Sequence, residues 1–215
     1  MQIAADSFEG ELSERQREVL DAALSLIVEH GAALTMSALA ARASCSKETL
    51  YKWFGDRDGL LTATVQWQAS KVRAVPLGRA GLDRAALAAG LERFARDWLR
   101  VISSATSVAL NRVAVTHAGA AKHDLGAIVL TNGPFAMARR LRPMLEAGQA
   151  AGLLACEDLE AAFHTFFGLV VRDIQIRLLL GEQLVLSESE IARDARRASE
   201  QFLALFGVTA PAPAE

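Results

Sequence analysis

Residues 34 to 57, LTMSALAARASCSKETLYKWFGDR, constrain this chain more than any other stretch, because they read as two short helices joined by a tight turn. Thr35 carries a short hydroxyl side chain able to cap a first helix, and Leu34 before it is spaced to pack on Leu39. Leu39, Ala40 and Ala43 form the inner face of that helix. Ser44, Cys45 and Ser46 then break the period, with Ser46 placed to cap a second helix and Cys45 and Leu50 repeating the hydrophobic staple. The arrangement is a helix-turn-helix.

In the second helix Leu50 and Phe54 lie four residues apart and point inward, leaving Lys47, Glu48, Thr49, Tyr51, Lys52 and Trp53 outside. That face carries cations and hydroxyls suited to phosphate oxygens, polar groups suited to base edges, and two aromatic rings with polar tips. A helix inserted into a major groove presents such groups near its N-terminal end. The alternative is a solvated face on an ordinary helical pair.

SKETLYKWFGDRDGLL resembles the recognition helix and following helix start of TetR-type transcriptional repressors, and LTMSALAARA resembles their first motif helix. The likeness covers roughly residues 13 to 65. Ser44 stands where the family usually places Gly, Cys45 where it usually has a β-branched residue, and Gly59 where it has a helix former. A positive φ at Ser44 costs on the order of 1 kcal/mol. None of these departures removes a DNA-facing group. Carried over position by position, the resemblance implies that Lys47, Glu48 and Thr49 meet base edges or their flank. It assigns Thr35, Ser37, Ser46, Tyr51, Lys52, Trp53 and Arg57 to phosphates.

The chain has 215 residues, 52% hydrophobic and 22% charged, enough to bury a core in one large or two modest domains. No run of eighteen apolar residues is present to span a membrane, and MQIAADSFEGELSERQ is acidic and polar where a signal peptide is basic and then apolar. A cytoplasmic protein is expected. Cys45 and Cys156 are too few for a disulfide framework. The net charge of −2 excludes a general nucleic-acid blanket, yet from residue 35 to residue 57 Arg42, Lys47, Lys52 and Arg57 face only Glu48 and Asp56. Such a local excess suits a specific reader with a few placed contacts.

Taken in order, Ser13 and Gln16 form a capping box opening a first helix with Leu20, Ala23, Leu24 and Ile27 inside and Gly31 as its stop. His30 is expected to be satisfied locally. Asp56 caps a fourth helix with Leu60, Leu61, Thr64, Val65 and Gln68 on its buried side. PLGRAGL marks a turn and a domain boundary. Asp83 caps a fifth helix with the stripe Leu87, Leu91, Phe94, Ala95, Trp98 and Ile102. A sixth begins at Ser107 and ends near Ala118 and Gly119, followed by a piece over residues 125 to 132. Another helix runs over residues 135 to about 148 with Pro134 in its first turn, and Pro143 should kink or split it. Asp158 opens a long eighth helix reaching Leu180, with Gly181 as its stop, and Ser187 with Glu190 is the capping box of a ninth ending near Phe206 and Gly207. No run alternates like a strand between hairpin turns.

The expected fold is therefore all-α with about nine helices: a three-helix head, then a helical bundle forming a dimer. The expected boundaries are a disordered arm at 1–12, a helix-turn-helix domain at 13–58, a connecting helix at 59–75, a ligand-binding and dimerisation domain at 76–207 and a disordered tail at 208–215. The last two helices are apolar on more than one side, with Phe163, Phe166, Phe167, Val170, Ile174 and Leu178 crowding the eighth. Their surplus implies a partner, and the family resemblance makes that partner a second copy bound through these two helices. The alternative is that the second apolar side faces helices five to seven.

His117, His123 and Asp124 form the only grouping with catalytic or metal-ligand character, but their spacing does not bring both imidazoles to one helical face. His164 reads as a satisfied core histidine. No phosphate loop, serine elbow or paired cysteine motif occurs, so neither an enzyme nor a cofactor is expected. By resemblance the body holds a pocket for an unidentified small-molecule effector, lined from Phe94, Trp98, Asn111, His117, Phe135, Met137, Phe163, His164 and Phe167. The implied function is a ligand-responsive repressor that binds a palindromic double-stranded DNA operator as a dimer. The alternative from another class is a dimeric small-molecule-binding or scaffold protein without specific DNA binding.

Overall fold

The computed structural model describes residues 12–31, 34–73, 82–116, 118–119 and 125–208. Its architecture is all-α. Eleven helical segments occur among the described residues: α1 (Glu14–His30), α2 (Met36–Arg42), α3 (Lys47–Phe54), α4 (Arg57–Ser70), α5 (Arg84–Ser103), α6 (Ala105–Thr116), α7 (Leu125–Asn132), α8 (Pro134–Ala150), α9 (Leu159–Val171), α10 (Ile174–Leu179) and α11 (Glu188–Phe206). The expected arm and tail lie almost wholly outside the described residues, as do residues 74–81 at the expected boundary, His117, His123 and Asp124.

Local chemistry sets most helix starts. Ser13 and Gln16, and Ser187 and Glu190, form reciprocal capping boxes at α1 and α11. Single side chains cap five more: Thr35 at α2, Ser46 at α3, Asp56 at α4, Asp83 at α5 and Asp158 at α9. Helix α6 starts two residues before Ser107, whose backbone N–H donates to the Ser104 hydroxyl at 3.2 Å. Ser107 itself is buried.

Two apolar cores result. One gathers α1, α2 and the inner face of α3 around Leu20, Leu39 and Leu50, and extends through Leu60 and Leu61 of α4 to Leu110 of α6 and Leu125 of α7. The other joins α5, α8, α9, α10 and α11 around Phe94, Phe166 and Phe202, and includes Ala69 and Val72 from the end of α4. Helix α4 thus contributes to both cores, so a tilt of it is felt in each. Buried Arg140 on α8 secures its far end by donating to the Ala69 and Val72 carbonyls.

The body departs from the sequence expectation in two places. The long eighth helix is broken: α9 stops at Val171, Arg172 takes φ 45°, and α10 resumes at Ile174. Arg172 donates to buried Asp194 of α11 at 2.5 Å, and the change of direction buries Ile174 and Leu178. Local propensity favours one continuous helix here, and tertiary packing overrides it. Conversely, Pro143 does not split α8, which continues to Ala150. Pro143 and Arg139, whose carbonyl loses its helical donor, both sit on the exposed side, where water can replace the missing bond.

Helix α11 packs chiefly on α5 and also on α9, which in turn meets α8. Much of the apolar surface that the sequence assigns to a partner is therefore buried within the chain. The only strand-like pairing among the described residues is an isolated bridge between Leu154 and Gly207, which ties the end of α11 to the α8–α9 loop. No described helix is long and apolar enough to cross a membrane.

Candidate nucleic-acid interface and body cleft

The head is built from short polar bonds around an apolar centre. The Ala38 N–H donates to Thr35 Oγ1 at 3.1 Å and the Thr49 N–H to Ser46 Oγ at 3.1 Å, so both motif helices have a capped, oriented N-terminus. In the turn between them Ser44 adopts φ 49°, the left-handed conformation that glycine takes without strain. Two residues outside the motif hold it in place. Arg15 of α1 donates to the Ala43 carbonyl and, at 3.4 Å, to that of Ser44, while Arg42 of α2 grips Glu29 of α1 through bonds of 2.9 and 2.6 Å. No local pattern marks Arg15, which acts across 28 residues of sequence.

Helix α3 buries Leu50 completely and exposes Lys47, Glu48, Tyr51 and Lys52, with Thr49 half-buried. Thr35, Ser37 and Ser46 are exposed at the helix starts. The Thr35 hydroxyl accepts a cap bond yet keeps its own proton to donate to an anion, whereas the Ser46 proton is shared with the Glu48 carboxylate. The Glu48 carboxylate is held below its usual range by its own backbone N–H and by the Ser46 hydroxyl, and so stays charged at the helix N-terminus. Trp53 is half-buried, lies edge-on to Phe54 with ring centroids 6.1 Å apart and packs against the head core. Arg57 is half-buried and its Nε donates to the Leu34 carbonyl at 3.3 Å, joining the start of α4 to the entry of α2.

In the body, a cleft opens between α4, α5, α6, α7, α8, α9 and the start of α10. Of the residues that the sequence assigns to a ligand pocket, Trp98, Asn111, Met137 and Phe167 line this cleft, and Gln68, Ser107 and Gln175 add polar groups to it. His117 lies outside the described residues, and the other expected residues go elsewhere. Phe94 is fully buried behind Trp98, at a centroid distance of 5.7 Å, and belongs to the core. Phe135, Phe163 and His164 line a separate depression on the outer side of α8 and α9. His164 is exposed and has Glu160 at 3.9 Å, so the expectation of a core histidine does not hold. Its position on α9 turns it outward while Phe163 and Phe166 turn in. Gln68 and Gln175 were missed as cleft residues: Gln68 reads as one more buried position of the connecting helix, and Gln175 reaches the cleft only because the chain breaks at Arg172.

Among the described residues no cluster of three or more His, Cys, Asp or Glu is arranged to hold a metal ion. Residues 19–64 match the family model described as bacterial regulatory proteins, tetR family. Residues 89–208 match that of the AefR-like transcriptional repressor C-terminal domain. The chain belongs to the TetR family. Its structure is similar to that of a TetR transcriptional regulator from Agrobacterium tumefaciens at 45% identity and TM-score 0.77, over 91% of this chain and 96% of that one. It is also similar to the flavonoid-responsive regulator FrrA, at 28% identity and TM-score 0.66 over 91% and 98% of the two chains. The fatty acid degradation regulator FadR from Bacillus halodurans shares the fold at 14% identity and TM-score 0.63, over 86% and 96%. No curated protein matches the chain. This protein is a TetR-family transcriptional regulator, and its head and body are the two parts such a regulator combines.

Proposed function

We propose that this TetR-family protein is a repressor that binds a palindromic operator as a homodimer and is released when a small molecule fills the body cleft. The observation that carries the reading is the exposed polar face of α3, capped by Ser46 and seated on buried Leu50, in a head held to α1 by Arg15 and Arg42. Lys47, Glu48 and Thr49 are assigned to base edges. Thr35, Ser37, Ser46, Tyr51, Lys52, Trp53 and Arg57 are assigned to phosphates, with Trp53 and Arg57 also serving the packing of the head. The likeness of the body to the C-terminal domain of an AefR-like repressor supports the sign of regulation. The likeness to a flavonoid-responsive regulator supports a small organic effector.

Dimerisation is assigned to the outer faces of α9 and α11. Gly168 there has open space where a side chain would stand, and Leu205 is 64% exposed. A two-fold pair places two α3 helices against half-sites about 34 Å apart. Helix α4 contributes to the head core and also to a cleft wall, so a ligand that prefers one tilt of α4 shifts the spacing of the two heads.

Binding to the DNA flanking the protein's own coding region, at two salt concentrations, tests the proposal. Tight, salt-sensitive binding to a palindrome is expected. Tyr51→Phe should weaken all sequences alike, and Lys47→Ala should cost about 1–3 kcal/mol while relaxing choice at one or two base pairs. Binding to no palindrome there or among random duplexes would leave a dimeric small-molecule-binding protein instead.

A further inference from the structure

The cleft has an unusual polar inventory. Among the described residues no charged side chain lines it, and their polar side-chain groups there are chiefly the amides of Gln68, Asn111 and Gln175 and the Ser107 hydroxyl. Burial of a carboxylate or ammonium against such a wall leaves it unpaired, whereas a hydroxyl or carbonyl finds amide partners. The rest of the wall is apolar, with Trp98 and Phe167 side by side at a centroid distance of 5.3 Å. Such a surface selects a neutral, mainly apolar ligand of aromatic character with one or two hydrogen-bonding groups.

Among these amides Gln68 stands apart, because its hydrogen bonds lead out of the cleft in both directions. Nearly buried, it donates through Nε2 to Ser104 Oγ at 3.1 Å, at the α5–α6 junction, and accepts from Lys71 Nζ at 3.1 Å through Oε1. Lys71 in turn lies 3.6 Å from Asp21 of α1 and over the Trp67 ring at 5.6 Å, and Trp67 Nε1 donates to the same Asp21 at 2.8 Å. A continuous polar chain therefore runs from the cleft wall to the first helix of the head. By contrast, Gln175 donates to Asn111 and Asn111 to Ser107, all within the body.

We propose that the cleft takes a neutral aromatic ligand bearing a hydroxyl or carbonyl, and that Gln68 reads that group and passes its occupancy to the head through Lys71, Trp67 and Asp21. A ligand hydroxyl that donates to Gln68 Oε1 competes with Lys71, and a ligand oxygen that accepts from Nε2 competes with Ser104. Once Lys71 loses Gln68, its ammonium is held only by Asp21 and the Trp67 ring, so the grip of α4 on α1 changes with occupancy of the cleft. The inference rests on the proposed ligand-released repressor and names its ligand class and the route of its response.

The test uses the full chain and three matched probes: 4-hydroxybiphenyl, biphenyl and biphenyl-4-carboxylate. By calorimetry the phenol should bind about tenfold or more tightly than the carboxylate, and about threefold to tenfold more tightly than biphenyl. Gln68→Leu should abolish the advantage over biphenyl. Phenol that binds no better than the carboxylate, or does not bind, overturns the ligand class. Operator affinity is then measured with and without saturating phenol. Trp67→Phe and Asp21→Asn should keep phenol binding within about twofold of the parent, while the drop in operator affinity caused by the phenol shrinks severalfold. An unchanged drop in both variants overturns the relay. Operator binding without probe is read separately, so loss of the repressor reading shows there and is not confused with failure of this inference.

Discussion

Among the described residues two non-glycine positions have positive φ, Ser44 in the head and Arg172 in the body, and the chain turns at both for different reasons. At Ser44 the turn is local: only four residues separate the end of α2 from the start of α3, Ser46 caps the second helix, and Arg15 adds its bonds to carbonyls at the end of the first. At Arg172 nothing in the neighbouring residues asks for a turn. The break is held by Asp194 of α11, which is nearly buried and also has Arg193 at 3.4 Å and Arg197 at 3.6 Å. One turn makes the recognition motif. The other makes the cleft, because it carries Gln175 to the wall and buries Ile174 and Leu178 against α5 and α6.

The largest test of this contrast removes the apolar residue that each turn positions. Leu50→Ala and Ile174→Ala should each cost about 3 kcal/mol in urea unfolding, since both side chains are almost fully buried. Their functional effects should separate: Leu50→Ala should abolish operator binding with the cleft still able to bind ligand, and Ile174→Ala the reverse. If both variants lose both activities together, the two turns are not independent.

A smaller test exploits the strain itself. Ser44→Gly should raise stability by about 0.5 kcal/mol, because glycine accepts the left-handed conformation and no side-chain bond of Ser44 is needed for the turn. Arg172→Gly relieves similar strain but leaves Asp194 short of its nearest cation, and should lower stability by about 1 kcal/mol after allowance for the partly exposed arginine. The opposite signs, read from thermal midpoints, distinguish a local turn from a tertiary one. Equal signs would erase the distinction.

The smallest effect is in acid. A hydrogen bond from Arg42 holds Glu29 below the usual 4.5 in the head, and one from Arg100 does the same for Glu188 in the body. A carboxylate whose folded-state pKa is depressed adds stability above its unfolded pKa and loses it as the pH falls through the folded value. Stability should therefore decline below pH 4.5. Glu29→Gln should flatten the decline seen by head probes such as Trp53 fluorescence, and Glu188→Gln that seen by body probes such as Trp98. An unaltered slope in both variants would show that these exposed pairs contribute nothing measurable.

Much of the head was legible because its signals are short-ranged. Thr35, Ser46 and Asp56 cap the helices that the spacing assigns to them, and the left-handed turn at Ser44 follows from a family position usually held by glycine. What local reading missed there is Arg15, whose partners lie in another helix. In the body the helix starts at Asp83, Asp158 and Ser187 were equally readable, but the cleft was only half so. Trp98, Asn111, Met137 and Phe167 reach it, while Phe94 faces the core and Phe163 and His164 belong to another surface. Aromatic residues of a helical stripe look alike in sequence, and which of them borders empty space depends on how neighbouring helices are displaced along their axes.

By itself the sequence determined the all-α class, the capped helix-turn-helix and the apolar faces of the body helices, since caps, staples and a 3.6-residue period act within a few positions. Only the tertiary structure decided that α9 and α10 are separate, that α8 survives Pro143, and that α4 joins both cores. Only it, too, brought Gln68, Asn111 and Gln175 to one cleft and linked Gln68 to Asp21. Those outcomes depend on bonds between residues far apart in the chain, whose formation rests on the packing of every helix between them.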